Sequence, residues 1–217
     1  MTLVGTLLRP PEIALVSSAD LRTVNRAIDE RILPEGLFEA GGGRRIWAGA
    51  SALIAFYHDA SDELTSGARL MVIRKIGMTM RGAAKMDIRA LLDETWLGAE
   101  GRFFHIDLRP YLRASIAGLE RLAAAKALAE RNPEILGGTP VIRGTRVPVH
   151  DVAASIAAGI STSRILEAYP TLSAEQVELS AFYAAATPLR GRPRGQGTLP
   201  SQAVVLEHRQ VPRRSAS

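Results

Sequence analysis

The sequence predicts a mainly α protein with two helical units of tight corners and a disordered C-terminal tail. Three observations predict it. Apolar residues recur at helical spacing in most segments from residue 21 to residue 185. Glycines and prolines concentrate between Asn132 and Val149, where they bound a short apolar run. The charge is also uneven: residues 188–217 hold six arginines and one acid, whereas residues 1–187 are charge-balanced, so the whole net charge of +5 sits in the last 30 residues. A basic end on a neutral body points to an acidic partner surface, phosphate or carboxylate.

Composition narrows the classes. A chain of 217 residues with 47% apolar content supports one large core or two small ones. With no cysteine there is no disulfide framework, no thiol chemistry and no zinc finger. The start, Met1-Thr-Leu-Val-Gly, lacks the charged and apolar regions of a signal peptide. No window approaches the roughly 18 consecutive apolar residues of a membrane span. A cytoplasmic protein with no membrane partner is expected.

Residues 11–32 carry a helix-turn-helix pattern. Ser17-Ser18-Ala19 supply the turn and Asp20 is suited to cap the following helix. Leu21, Val24, Ile28 and Ile32 form one stripe expected to be buried. Arg22, Thr23 and Arg26 then face away, with Asn25 on the flank. These are hydrogen-bond donors in the first turns, where a recognition helix meets base edges and phosphates. Next, residues 37–40, the glycines at 41–43 and residues 44–47 read as a hairpin with Arg44 and Arg45 on its return strand. A hairpin directly after such a helix is a wing that reaches the phosphate backbone. The arrangement resembles the winged helix-turn-helix domains of MerR-like and excisionase-like proteins. Six residues, Arg22, Thr23, Asn25, Arg26, Arg44 and Arg45, are therefore the DNA-binding candidates.

Helices over 50–59 and 66–76 complete a first domain, residues 1–80. His58 has no second ligand three or four positions away, so no metal site is expected. Residues 81–131 read as a connection. It follows a pattern break at 77–81 and holds a helix over 88–96, a strand over 102–106 and a long amphipathic helix from Asp107 and Pro110 to about Arg131. His105 in the apolar strand is read as structural.

The glycine-rich stretch opens the second unit, residues 132–187. Gly137, Gly138 and Gly144 permit positive φ, and Pro140 and Pro148 bound the strand Val141-Ile142. Such a run dictates a backbone path, not a reactive centre. Three short helices follow, over 149–158, from Ser161 to Pro170, and from a Ser173/Gln176 capping box to about Ala185. Their outward acids, Glu167, Glu175 and Glu178, would repel phosphate, which favours folding and dimerisation over primary DNA reading. Arg143 and Arg146 are the basic residues that could aid DNA contact or strand pairing.

The motif of Gly137, Gly138, Pro140, Val141, Ile142, Gly144, Thr145, Arg146 and Pro148 resembles the signature of a small family found in bacterial type II antitoxins of the VapB class. The resemblance covers residues 132–187, about a quarter of the chain. It implies a strand leading into a three-helix bundle, and a homodimer held by the long central helix and this signature strand, with higher assemblies on toxin binding. In such antitoxins the C-terminal segment wraps a PIN-domain ribonuclease toxin. Here that segment, residues 188–217, offers Arg190, Arg192, Arg194 and Arg209 and the apolar run with Val204, Val205 and Leu206. The resemblance implies that these arginines pair with the toxin's metal-binding carboxylates and block the catalytic metal; arginine's bidentate, charge-assisted bonds suit that task.

The expected function is thus an antitoxin that binds its own operator DNA and a cognate ribonuclease, with no cofactor. The alternative is a DNA-binding transcription regulator without a toxin. An enzyme is the least supported class, because no paired carboxylates, Ser/His/Asp set or metal-ligand spacing is found.

Overall fold

The computed structural model describes residues 5–84, 86–100 and 105–189. The basic tail, with Arg190, Arg192, Arg194, Val204, Val205, Leu206 and Arg209, lies outside the described residues, as does most of the strand expected over 102–106. Within the described residues the architecture is mainly α, with eight α-helices and short strands.

The chain opens with strand β1 (Leu7–Leu8), then α1 (Pro10–Ser17) and α2 (Leu21–Asp29). Strands β2 (Phe38–Glu39) and β3 (Arg45–Trp47) form the expected hairpin. β1 adds to the free edge of β3, with Leu7 opposite Trp47 and Leu8 opposite Ile46, giving a three-stranded antiparallel sheet. Two residues of β1 are too few to carry an alternation that could be read from sequence.

Helix α3 (Ala50–Asp59) packs against α1, and α4 (Ser66–Gly82) follows it. The expected pattern break at 77–81 does not interrupt α4. A Cβ at Gly77 would sit 2.7 Å from Pro34 Cγ and 3.3 Å from Leu53 Cδ1, so glycine there admits close packing inside a continuous helix. The helix expected over 88–96 is instead two 3₁₀ turns, Ala90–Asp93 and Thr95–Leu97, separated by the extended Glu94 (ψ 135°). They lead into β4 (Gly98–Glu100), which pairs antiparallel with β5 (His105–Asp107).

Helix α5 (Arg109–Leu128) stops three residues short of the expected end. Ala129 and Glu130 leave it as strand β6 and pair with Ile142 and Val141 of β7 (Val141–Ile142). On the other side of β7 the chain turns back, so that the Ile142 amide donates to the Val147 carbonyl and Val141 bridges Pro148. Both edges of the signature strand are occupied within the chain, and neither is free to pair with a second copy. Helices α6 (Val149–Ala157), α7 (Thr162–Ala168) and α8 (Ala174–Ala186) complete the second unit. The capping box holds: the Gln176 amide donates to Ser173 Oγ, and Gln176 Oε1 accepts from the Ser173 amide.

Two hydrophobic clusters result. The first runs from Leu8 to Leu122, so residues 81–131, read as a connection, contribute Ile88, Leu91, Leu97 and Leu112 to it. The second gathers Ala125, Ile142, Val149, Val152, Ile165 and Val177. Helix α5 serves both, and α8 returns to the first through Ala186.

Helix α1 lies very close to α5, where a Cβ on Gly118 would meet the Val16 backbone at 3.1 Å. Beside this crossing Glu12 is buried, 4% exposed, and accepts from Lys126 Nζ (2.7 Å) and the Arg9 amide (2.7 Å). Burial alone pushes the Glu12 carboxyl up. Hydrogen bonds from Lys126 and Arg9 outweigh it and bring the carboxyl below its ordinary value.

A folded-state pKa below the unfolded one gives stability that is complete above the unfolded value, about 4.3, and lost as pH falls through the folded value. Lys126→Met should therefore destabilise the protein at pH 7 by about 1–3 kcal/mol, discounted because Lys126 is partly exposed. In chemical denaturation the gap between Lys126→Met and the parent should narrow between pH 5 and pH 3. A gap independent of pH would remove the ion pair from the account.

Candidate nucleic-acid interface

The corner between α1 and α2 is built by three residues. Ser18 turns the chain in the left-handed region (φ 54°), Ala19 is buried, and Asp20 caps α2 by accepting from the Thr23 amide at 2.6 Å. Ser18 takes this conformation where glycine would be less strained. Hydrogen bonds from the Thr23 amide and hydroxyl, helped by nearby His58, hold the Asp20 carboxyl below its ordinary value.

On α2, Val24, Ala27 and Ile28 face the core. Leu21, expected in that stripe, is 45% exposed, and Ile32 is buried beyond the helix end. The first turn of α2 rises away from the core, so the buried face begins at Val24.

The six candidate residues fall on two flanks of α2. On one flank the hairpin is tied to the helix: Arg44 donates to Asn25 Oδ1 (2.7 Å) and to Asp29 Oδ1 (2.6 Å). Asn25 also donates Nδ2 to the Leu21 carbonyl, so its amide is committed locally. Arg45, half-buried, donates to the Arg44 carbonyl. On the other flank Arg26 pairs with Glu30 at 2.8 Å. The exposed Arg22 guanidinium has no partner among the described residues. The structure thus brings Asn25 and Arg44 together, leaves Arg22 open, and gives Arg26 and Arg44 the acidic partners Glu30 and Asp29.

Sequence reasoning missed the cavity on the Arg26 flank. It measures about 200 Å³ and is lined by Thr23 and Arg26 of α2, His58 at the end of α3, Ser61, and Ser66 and Arg69 of α4. These residues span 47 positions, and no local spacing links them. No group of His, Cys, Asp or Glu suited to a metal ion occurs among the described residues.

In the second unit the signature residues act on the backbone. Gly144 takes φ 75° in the turn after β7, and Thr145 Oγ1 donates to the Ile142 carbonyl while accepting from the Val147 amide. Gly137 and Gly138 adopt positive φ, as expected, and Pro140 is buried. Arg143 closes α5: its amide donates to the Leu128 carbonyl and Nε to the Ala127 carbonyl. Arg146 is exposed.

The fold and this site define a mainly helical protein whose two-helix corner and hairpin are mounted on a second helical unit. The chain belongs to the family of an uncharacterised protein, y4eO, of Sinorhizobium fredii, with which it is 48% identical over 214 residues, 99% of this chain and 96% of that protein. Residues 130–184 match the family described as a protein of unknown function, DUF433. That match begins in β6 and ends in α8, so it covers the second cluster except for its α5 residues such as Ala125. No solved structure matches the chain. No helix among the described residues is long and apolar enough to cross a membrane.

The Arg44–Asp29 pair is exposed on both sides, so Asp29→Ala should change global stability by less than about 1 kcal/mol. Hydrogen exchange at residues 41–45 should nevertheless accelerate, because the hairpin loses its anchor. Unchanged exchange there would show that the pair does not hold the hairpin.

Proposed function

We propose that this protein is an operator-binding antitoxin: its N-terminal unit reads DNA and its basic C-terminal end neutralises a PIN-domain ribonuclease. The single observation that carries the DNA half is the Asp20-capped corner, which presents Arg22 unpaired at the start of α2 beside a hairpin tied to that helix. We read α1, α2, β2 and β3 as a winged helix-turn-helix. Arg22 and Thr23 stand in the first turn, where a recognition helix contacts base edges. Arg26 and Arg44 would exchange their carboxylate partners for phosphates, a like-for-like replacement of one charge-assisted bond by another. Asp29 and Glu30 come at the helix end that leaves the groove.

The toxin half rests on sequence. The +5 charge of residues 188–217 and the apolar run around Val204, Val205 and Leu206 suit a carboxylate-lined pocket with an adjacent sheet edge. The resemblance of residues 132–187 to VapB-class antitoxins supports the same reading. A homodimer would set two α2 helices on half-sites one helical turn apart, or a multiple of that. Since both edges of β7 are occupied, its contact would form through helix surfaces.

A second reading, a DNA-binding regulator with no toxin, is favoured by the fact that every described candidate contact belongs to the DNA side. Full biological function after deletion of residues 188–217 would select it.

Arg22→Ala combined with Arg26→Ala should weaken binding to the DNA upstream of its own gene by at least about tenfold, since contacts of this kind are worth about 1–3 kcal/mol each. The same variant should bind the co-expressed ribonuclease as the parent does. Equal loss of both activities would contradict the division of labour.

A further inference from the structure

The cavity beside α2 carries the chemistry of an anion site. Its lining includes two guanidinium groups (Arg26 and Arg69), the His58 ring, the Tyr57 side chain and the hydroxyls of Thr23, Ser61 and Ser66, with no carboxylate among its lining residues. Three acids each engage a lining residue: Glu30 on Arg26 Nε, Asp20 on the Thr23 amide and Asp62 on the Ser61 hydroxyl.

Arg69 is held in place rather than swinging in solvent. Its Nη1 donates to the Tyr57 carbonyl and its guanidinium lies 4.3 Å over the Tyr57 ring. Its Nε is buried and has no hydrogen-bond partner among the described residues. An unsatisfied buried donor on a fixed cation is costly unless an acceptor arrives.

The cavity also takes in the first turn of α4. This 17-residue helix is capped by Thr65 and has no acid in its first turn. The first-turn amides of a helix lack intrahelical acceptors and carry the positive end of its dipole.

We propose that this cavity binds a phosphate group and, on the operator, holds one backbone phosphate of the strand flanking the groove entered by α2. This rests on the DNA-binding reading above. Thr23 and Arg26 belong to both surfaces, so a phosphate seated here fixes the rotation of α2 about its own axis. Arg26 and Arg69 supply charge-assisted donors, Ser66 and His58 supply further polar contacts, and the Ser61 hydroxyl would exchange Asp62 for the phosphate. Contacts of this class set register and orientation without reading sequence.

The test uses the full chain and two probes, inorganic phosphate and a duplex from upstream of its gene. Ser66→Asp puts a carboxylate at the cavity mouth while suiting a helix N-terminus, so the fold should survive. Phosphate, titrated against chloride at constant ionic strength, should shift the His58, Ser61 and Ser66 resonances in the parent and not in Ser66→Asp. For the duplex, Ser66→Asp should lower the slope of log affinity against log salt by about one, the value of one phosphate contact. Ser66→Ala should have a smaller effect.

A folded Ser66→Asp protein with an unchanged phosphate response or an unchanged salt slope overturns the site, and the DNA reading then stands on the Asp20-capped corner with Arg22 and the hairpin's Arg44. A phosphate response with no binding to any duplex overturns the operator reading and assigns the cavity to a free phosphate-bearing ligand.

Discussion

The close crossing of α1 and α5 is the constraint on which the rest of the structure depends. Gly118 lets α5 approach the Val16 backbone, and Lys126 reaches across to the buried Glu12. One long helix therefore floors both hydrophobic clusters, with Leu112 and Leu119 in the first and Ala125 in the second. The corner that presents Arg22 is mounted, through α1, on the same rod that receives the second unit. Its orientation is a property of the whole helical body, not of the first 80 residues.

The signature stretch has a mechanical part in this arrangement. A helix end leaves carbonyls without partners, and Arg143 satisfies those of Ala127 and Leu128 at the end of α5. Gly144 and Thr145 then fold the strand back so that Val149 can enter the second core. The glycines, prolines and hydroxyl of the motif thus stop the rod and start the bundle, which agrees with the absence of a reactive group among them.

Local chemistry was legible in the sequence wherever one residue determines one bond. The Asp20 cap, the Ser173/Gln176 box, the positive φ of Gly144 and the hairpin at Gly41-Gly42-Gly43 all follow from side-chain reach or missing side chains. Features set by tertiary contact were not legible. Gly77 reads as a breaker until Pro34 and Leu53 are seen against it, and β1 becomes a strand only because β3 offers an edge. The charge partners of Arg44 are likewise a matter of where the hairpin lands. The cavity of Thr23, Arg26, His58, Ser61, Ser66 and Arg69 exists because three helices converge, and His58 taken alone signals nothing.

The central claim is that the corner at Asp20, carried by this body, is a DNA-reading head. Hydroxyl-radical footprinting of the full chain on the DNA upstream of its gene, at low and at physiological salt, addresses it most directly. The account predicts two protected patches on one face of the duplex, one helical turn apart or a multiple of that, which fade as salt rises. Folded protein that protects no segment at low salt would contradict it.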